Sequence, residues 1–292
     1  MIPILQSVFQ SLTDYGFVMR VSQVNYLQEN NTIAQRFKTY LASNNSLVKS
    51  QNANMGINFF MDNPGATWQQ FLNQVPKTPC EDTKALMANT SMQTSITALK
   101  TNATSGTGEM GFKATKSGMP SPMIPGLAHS VNFGDKTGYA GGYHNHTKIG
   151  IPMLSPPDID QLLGFARAQG NNGDPTQAFV GMVAPNGMHY IIRFTGNYQD
   201  SISFNFMDAD LKKLKDDYIE MESNLKEPLL NGTKYVNSDG SINNKGVEKL
   251  LFETLKNMGL AGKINLQRIE SSGSVQNINL DSNNEPIAVP CP

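Results

Sequence analysis

The sequence predicts an α+β protein, a small and mostly antiparallel sheet flanked by helices and preceded by a helical N-terminal segment. Three observations carry this. Apolar residues recur at three- and four-residue steps through residues 1–78. Short strand-like runs separated by turn signals fill the middle of the chain, and helical patterns followed by a strand pair occupy its last third. The 292 residues are 39% hydrophobic and 16% charged, with a formal net charge of −1, so a core is affordable and extended disorder is not expected. With 23 basic against 24 acidic side chains there is no phosphate-neutralising excess, and nucleic acid is not an expected partner. No stretch approaches the ~18 consecutive apolar residues of a membrane-spanning helix. The opening MIPILQSVFQSLTDYGF has no basic leader or small-residue cleavage pattern, which argues against a secretory signal unless a longer precursor has lost one.

In chain order, Val18, Val21, Val24, Tyr26 and Leu27, then Ile33, Phe37, Tyr40 and Leu41, mark helices. The Asn-, Ser- and Gln-rich stretch from Ala42 to Asn58 reads as a loose connector. A short helix around Trp68, Phe71 and Leu72 follows, then a break at Pro76 to Pro79. A division into a helical segment with linker at 1–78 and a second domain at 79–292, with its core at 105–200 and a C-terminal extension, is the natural reading. From Glu81 a helix with apolar positions Leu86, Met87, Ile96 and Leu99 is expected, stopped by the Gly/Ser/Thr-rich Thr101 to Gly108. Strands are expected at Met110 to Thr115, His129 to Phe133 and Tyr139 to Tyr143. Gln177 to Ala184 and Met188 to Thr195 flank Pro185-Asn186-Gly187, a strong hairpin signal. Helices at Asp208 to Leu225 and Gly246 to Met258 and a strand pair at Ile264 to Glu270 and Val275 to Leu280 complete the chain. The charged helix near Asp208 to Lys226 reads as a solvated face over an apolar stripe.

Chemistry concentrates in Tyr143-His144-Asn145-His146, which leads through a loop to Ser155-Pro156-Pro157-Asp158. On an extended segment, residues two apart project from one face, so His144 and His146 can reach one point. Ser155 is a good helix N-cap and Pro156 suits the first helical position, which puts Asp158 in the rigid first turn. An acid there can simply complement the helix dipole. Following His-x-His, it is instead the third ligand of a catalytic zinc-type site, which keeps a fourth position for water.

His-x-His, a short loop and Ser-x-x-Asp together resemble the JAMM (JAB, MPN-plus) zinc metallopeptidases, over roughly residues 109–195. The resemblance implies a compact fold around a curved sheet, one Zn2+ per chain, and hydrolysis of a peptide or isopeptide bond in a peptide or protein substrate. It assigns His144, His146 and Asp158 as metal ligands and Ser155 as the hydroxyl that helps polarise the scissile carbonyl. It also assigns Glu109, at the start of a strand-like run in Gly108-Glu109-Met110-Gly111, as the general base; Glu81, the other glutamate nearby, falls in a helix. Here eight residues separate His146 from Ser155, one more than the commonest family spacing, and Thr147 replaces a usual proline. One added loop residue costs little entropy.

His129 and His189 read as structural. Asp160 and Asn145 are the candidate partners for the outer ring nitrogens of the two ligands. The string at 144–146 lacks the long ββα spread of an HNH nuclease, and Gly138 to Gly142 lacks the Lys-Ser/Thr ending of a phosphate loop and serves close backbone approach instead. Two other functions stand beside the metallopeptidase: a non-catalytic JAMM-like binding module, which would be expected to lack a ligand, and a phosphoesterase, which would want more clustered carboxylates. Cys80 and Cys291 leave two readings open, a bridge closing a very long loop or two unrelated thiols in a reducing compartment. The composition fits a bacterial surface or exported protein, and the compartment is left open.

Overall fold

Helical spacing rather than composition decides the first part of the chain. The computed structural model describes residues 3–42, 47–72, 74–75 and 77–292, and the chain divides into two compact units, 1–78 and 79–291. The first unit contains α1 (Pro3–Thr13), α2 (Val21–Glu29), α3 (Asn31–Ala42), α4 (Leu47–Asp62) and α5 (Trp68–Leu72). Leu5, Val8 and Leu12 of α1, Ala34, Phe37 and Leu41 of α3, and Ala53, Ile57 and Phe60 of α4 are buried at three- and four-residue steps. Phe37 lies at the centre of an aromatic cluster, its ring centroid 4.9 Å from that of Trp68. The loose connector expected from Ala42 to Asn58 is therefore corrected. Ala42 ends α3, residues 43–46 lie outside the described residues, and the rest belongs to α4, whose apolar stripe is diluted among Asn and Gln. Val18 and Val21 are also not core positions: one precedes α2, the other opens it facing outward, and both are exposed. Pro76 of the expected break lies outside the described residues.

The second unit is α+β, an open sheet of eight strands in the order β2-β1-β3-β4-β5-β6-β7-β8. They are β1 (Met110–Ala114), β2 (Ile124–Pro125), β3 (Gly141–Asn145), β4 (Phe179–Val183), β5 (His189–Phe194), β6 (Ile264–Ile269), β7 (Val275–Leu280) and β8 (Pro286–Pro290). Every neighbouring pair is antiparallel except β3 with β4. The parallel pair is joined through α8 (Pro156–Ala168), the kind of crossover that parallel strands require. The sheet continues without interruption past residue 200, so the C-terminal strands are part of one layer. β8, unforeseen because Pro286 and Pro290 bracket it, sits at the sheet edge, where proline is tolerated.

Alternation along the strands gives the sheet two buried faces. One packs on α6 (Pro79–Ala88) and α7 (Thr90–Ser105), where Leu86, Met92, Ile96 and Leu99 meet Phe112, Tyr143, Phe179 and Ile191. The other packs on α8 and α12 (Asn244–Asn257), where Ile159, Leu163, Val247 and Leu251 meet Val180, Met182, Ile192 and Leu266. α10 (Asp208–Lys226) lies against α8 and α12, and α9 (Tyr198–Ser203) and α11 (Pro228–Asn231) are short connecting helices. No helix among the described residues is long and apolar enough to cross a membrane.

Three local expectations need correction. The helix from Glu81 is two helices, because Asn89 caps the second by accepting from the Met92 amide. That second helix runs through the supposed stop to Ser105. The hydroxyls of Thr97, Thr101 and Ser105 donate to carbonyls four residues back and so do not compete with the helix. His129 to Phe133 is not a strand; only a single bridge, Leu127 with Ser130, forms there, and the segment crosses over the sheet instead. Cys80 and Cys291 are bonded, with 5.5 Å between their Cα atoms and a sequence separation of 211, which ties the first helix of the unit to the end of its last strand.

Candidate metal centre

Register and capping bring the site together. Gly111 of β1 lies opposite His144 of β3, and a side chain at Gly111 would collide with the Tyr143 carbonyl at 2.6 Å. Two residues earlier on the same face of that chain stands Glu109. Phe133, from the segment that crosses the sheet, covers Gly142 and Gly111, and it leaves the α8 face of β3 to His144 and, just past the strand end, His146. Ser155 opens α8, and Asp158 in its first turn reaches back to accept hydrogen bonds from the Ser155 amide and hydroxyl, both 2.7 Å. That double bond aims the carboxylate at the strand.

The ligand atoms of His144, His146 and Asp158 all lie within 4.8 Å of one another. The two Nε2 atoms are 2.9 Å apart, and Asp158 Oδ1 is 3.3 Å from His144 Nε2. His146 Nδ1 lies 2.7 Å from the Ile151 carbonyl, which fixes its proton on that nitrogen and turns the Nε2 lone pair toward the cluster. With the His146 proton held on Nδ1, at most one N–H, on His144 Nε2, is available to the three converging groups, so they satisfy one another poorly. A cation meets all three. Two imidazoles and one carboxylate are a donor set for Zn2+ among divalent metals, so these residues fit the group and could hold a metal ion.

Electrostatics follow from burial. Burial depresses the His144 pKa to about 4 against the opposing pull of Asp158, so the ring is neutral and able to ligate at pH 7. The Gly181 backbone favours a proton on this ring, yet no bond to His144 Nδ1 meets normal geometry and that atom is buried without a partner. Burial raises the Asp158 carboxyl, but the two imidazoles and the Ser155 hydrogen bonds reverse this and hold it below its ordinary value. Glu109, buried to 7% exposure, has its pKa pushed up to about 9 by burial and by the Asp158 charge, with Lys215 opposing.

Glu109, His146, Ser155 and Asp158 all line one cavity of about 560 Å³. Sequence reasoning missed its far wall. Lys215, Tyr218, Ile219 and Glu222 recur at three- and four-residue steps on α10, the helix read as a solvated face over an apolar stripe. Tyr218 is buried and donates to the Met153 carbonyl at 2.8 Å, which pins the loop before α8. That one aromatic residue in a charged helix was the available signal. The expected partners of the outer ring nitrogens are also corrected. Asp160 faces Arg167, and Asn145 points to the opposite side of the sheet, where its Oδ1 accepts from Asn102 and from the Met110 amide. The real partner of His146 is a backbone carbonyl, which no side-chain pattern announces. His129 lies on the cavity wall 3.2 Å from Thr147 Oγ1, and His189 is buried beside the Tyr143 hydroxyl at 3.3 Å, on the far face of the sheet from the cluster. Comparison with family models, with curated proteins and with solved structures finds no match to this chain.

Proposed function

We propose that the chain is a zinc-dependent metallopeptidase of the JAMM type, hydrolysing a peptide or isopeptide bond in a peptide or protein substrate. The observation that carries the reading is the convergence of His144, His146 and Asp158 within 4.8 Å on a cavity that also holds a buried glutamate. When bound, the zinc supplies Lewis acidity, lowering the pKa of a water toward ~7 and polarising a carbonyl. The rest is done by the chain. His146 keeps its orientation through the Ile151 carbonyl, and Asp158 through Ser155. Glu109 takes the proton of the attacking water and delivers it to the leaving amine; this needs its carboxylate form, which burial and the Asp158 charge disfavour in the metal-free site and which a divalent cation held beside it would favour. The Ser155 hydroxyl donates to Asp158 in the resting geometry. Turning it toward the scissile oxygen leaves Asp158 the bond from the Ser155 amide. The Cys80–Cys291 bond supports action in an oxidising compartment.

The deciding experiment is elemental analysis of the purified full-length protein together with a peptide-hydrolysis assay of the wild type and Glu109→Gln. The expected result is about one zinc per chain in both. Turnover should occur in the wild type alone, with a loss of roughly 10³-fold in the variant. A protein that takes up no divalent metal, and that none activates, ends the proposal.

A further inference from the structure

The metallopeptidase reading leaves two isoleucines unexplained. Ile149 is 83% exposed and Ile219 is 49% exposed, yet both line the cavity that holds the ligand cluster. They come from independent elements, the loop between β3 and α8 and the outer helix α10. Val131, Ile151 and Met153 continue the apolar lining between them. A loop free to relax would turn such a side chain inward. This one is tied at Ile151 by His146 and at Met153 by Tyr218. Exposed apolar side chains held in place around a polar site mark where a ligand's own apolar surface lands.

The charged groups in the same cavity make no competing demand. Glu222 is paired with Lys226 at 2.9 Å, and Lys215 acts on the buried Glu109. Resting on the hydrolase reading, we propose that the substrate presents a bulky apolar side chain next to the scissile bond, gripped between Ile149 and Ile219. A glycine at that position would leave both isoleucines in water. A closed apolar pocket discriminates by roughly 10- to 200-fold for a single methylene; this one is open to water, so a preference of about 100-fold is expected for the whole Leu or Phe side chain over Gly. The contact is made equally in ground and transition states, which places the effect mainly in KM.

The test uses the full chain and two readouts. Zinc-loaded protein is assayed on quenched-fluorescence peptides that differ only in Gly, Ala, Leu or Phe at the positions flanking the cleaved bond. Metal-free protein is titrated with the same peptides carrying fluorescein, read by anisotropy. Ile149→Ser, Ile219→Ser and the double variant are compared with the wild type. Both sites are exposed enough for the fold to persist, which circular dichroism checks. The wild type should rank Phe and Leu above Ala above Gly at one flanking position in both readouts. Each serine should shrink the Leu-to-Gly ratio by about 10-fold, and the double variant should bring it near unity. Cleavage without ranking, or ranking that survives the double variant, overturns the apolar subsite and leaves the hydrolase. Ranked binding without cleavage supports the subsite and ends the hydrolase, and neither ends both.

Discussion

The two faces of β3 bury polar side chains to opposite ends. Toward α7, Asn145 accepts two hydrogen bonds, and Tyr143 meets His189. Further along that face Arg193 donates to Thr83 at 2.7 Å, Thr83 donates to Gln267 at 2.6 Å, and the Gln267 amide reaches both disulfide sulfurs. Apart from His189 Nδ1, which is buried without a partner, these groups are donors matched to acceptors, and none lines a cavity among those described. Toward α8, the ligand atoms of His144, His146 and Asp158 converge with at most one N–H among them, and His146 and Asp158 open on a cavity. Burial alone does not distinguish the faces. His189 on the first and His144 on the second are both depressed by burial, to about 3 and about 4. The convergence of three metal-ligating groups beside a cavity does distinguish them.

Removing the one carboxylate from the α8-side cluster should have the greatest consequence. Asp158→Asn keeps a side-chain oxygen for the Ser155 amide and so preserves the start of α8, while removing the anionic ligand. Metal content should fall from about one per chain toward zero and turnover by roughly 10³-fold or more, with little change in the unfolding midpoint of the metal-free protein. Zinc retained at full stoichiometry would show that the carboxylate is not a ligand.

On the α7 side the largest effect belongs to the disulfide. Closing a loop of 211 residues restricts the unfolded chain by about 5 kcal/mol on the chain-entropy account. Guanidinium unfolding with and without reductant, beside intact mass after alkylation, should show a stability loss of that order and two thiols released on reduction. Two alkylated cysteines in the untreated protein would remove both the bond and the inference about compartment.

pH acts with opposite sign on His189 and Glu109. His189 is neutral when folded down to about pH 3, whereas the unfolded chain takes up its proton near 6.5. As pH falls through that window the unfolded state binds the extra proton, so stability drops, by about 3 kcal/mol between pH 6.5 and 4. In the metal-free protein Glu109 does the reverse. The folded state holds a proton up to about pH 9 that the unfolded chain releases near 4.5, so stability drops as pH rises between them. Denaturation series should show His189→Gln flattening the acid limb and Glu109→Gln the alkaline one. Equal slopes in variant and wild type would place either group in water.

Much of the α8 face was legible because its logic is local. Two histidines two apart on a strand share a face whatever surrounds them, and Ser-Pro-Pro-Asp announces a helix mouth by capping chemistry alone. What stayed hidden depends on partners distant in sequence or without side-chain identity. The Ile151 carbonyl is backbone, and α10 becomes a cavity wall only once it docks beside α8. α4 hid its stripe of Ala53, Ile57 and Phe60 among amides. Residues 129–133, rich enough in apolar positions to suggest a strand, find no strand partner beyond one bridge and serve as a cover. The α7 network was invisible altogether, since Thr83 and Gln267 are 184 residues apart.

That network yields the smallest and most discriminating effect. Thr83 is fully buried and is at once the acceptor for Arg193 and the donor to Gln267, so Thr83→Val keeps the volume and strands both partners. Leaving a buried guanidinium N–H without its acceptor costs about 2 kcal/mol, more than an ordinary hydrogen bond returns. Chemical denaturation should register that loss. Zinc stoichiometry and kcat should stay at wild-type values, because the hydrogen bonds of Thr83 run to Arg193 and Gln267 and not to the ligand cluster. If Thr83→Val instead lowers metal affinity in step with stability, the two faces of the sheet are energetically coupled and the division of labour between them fails.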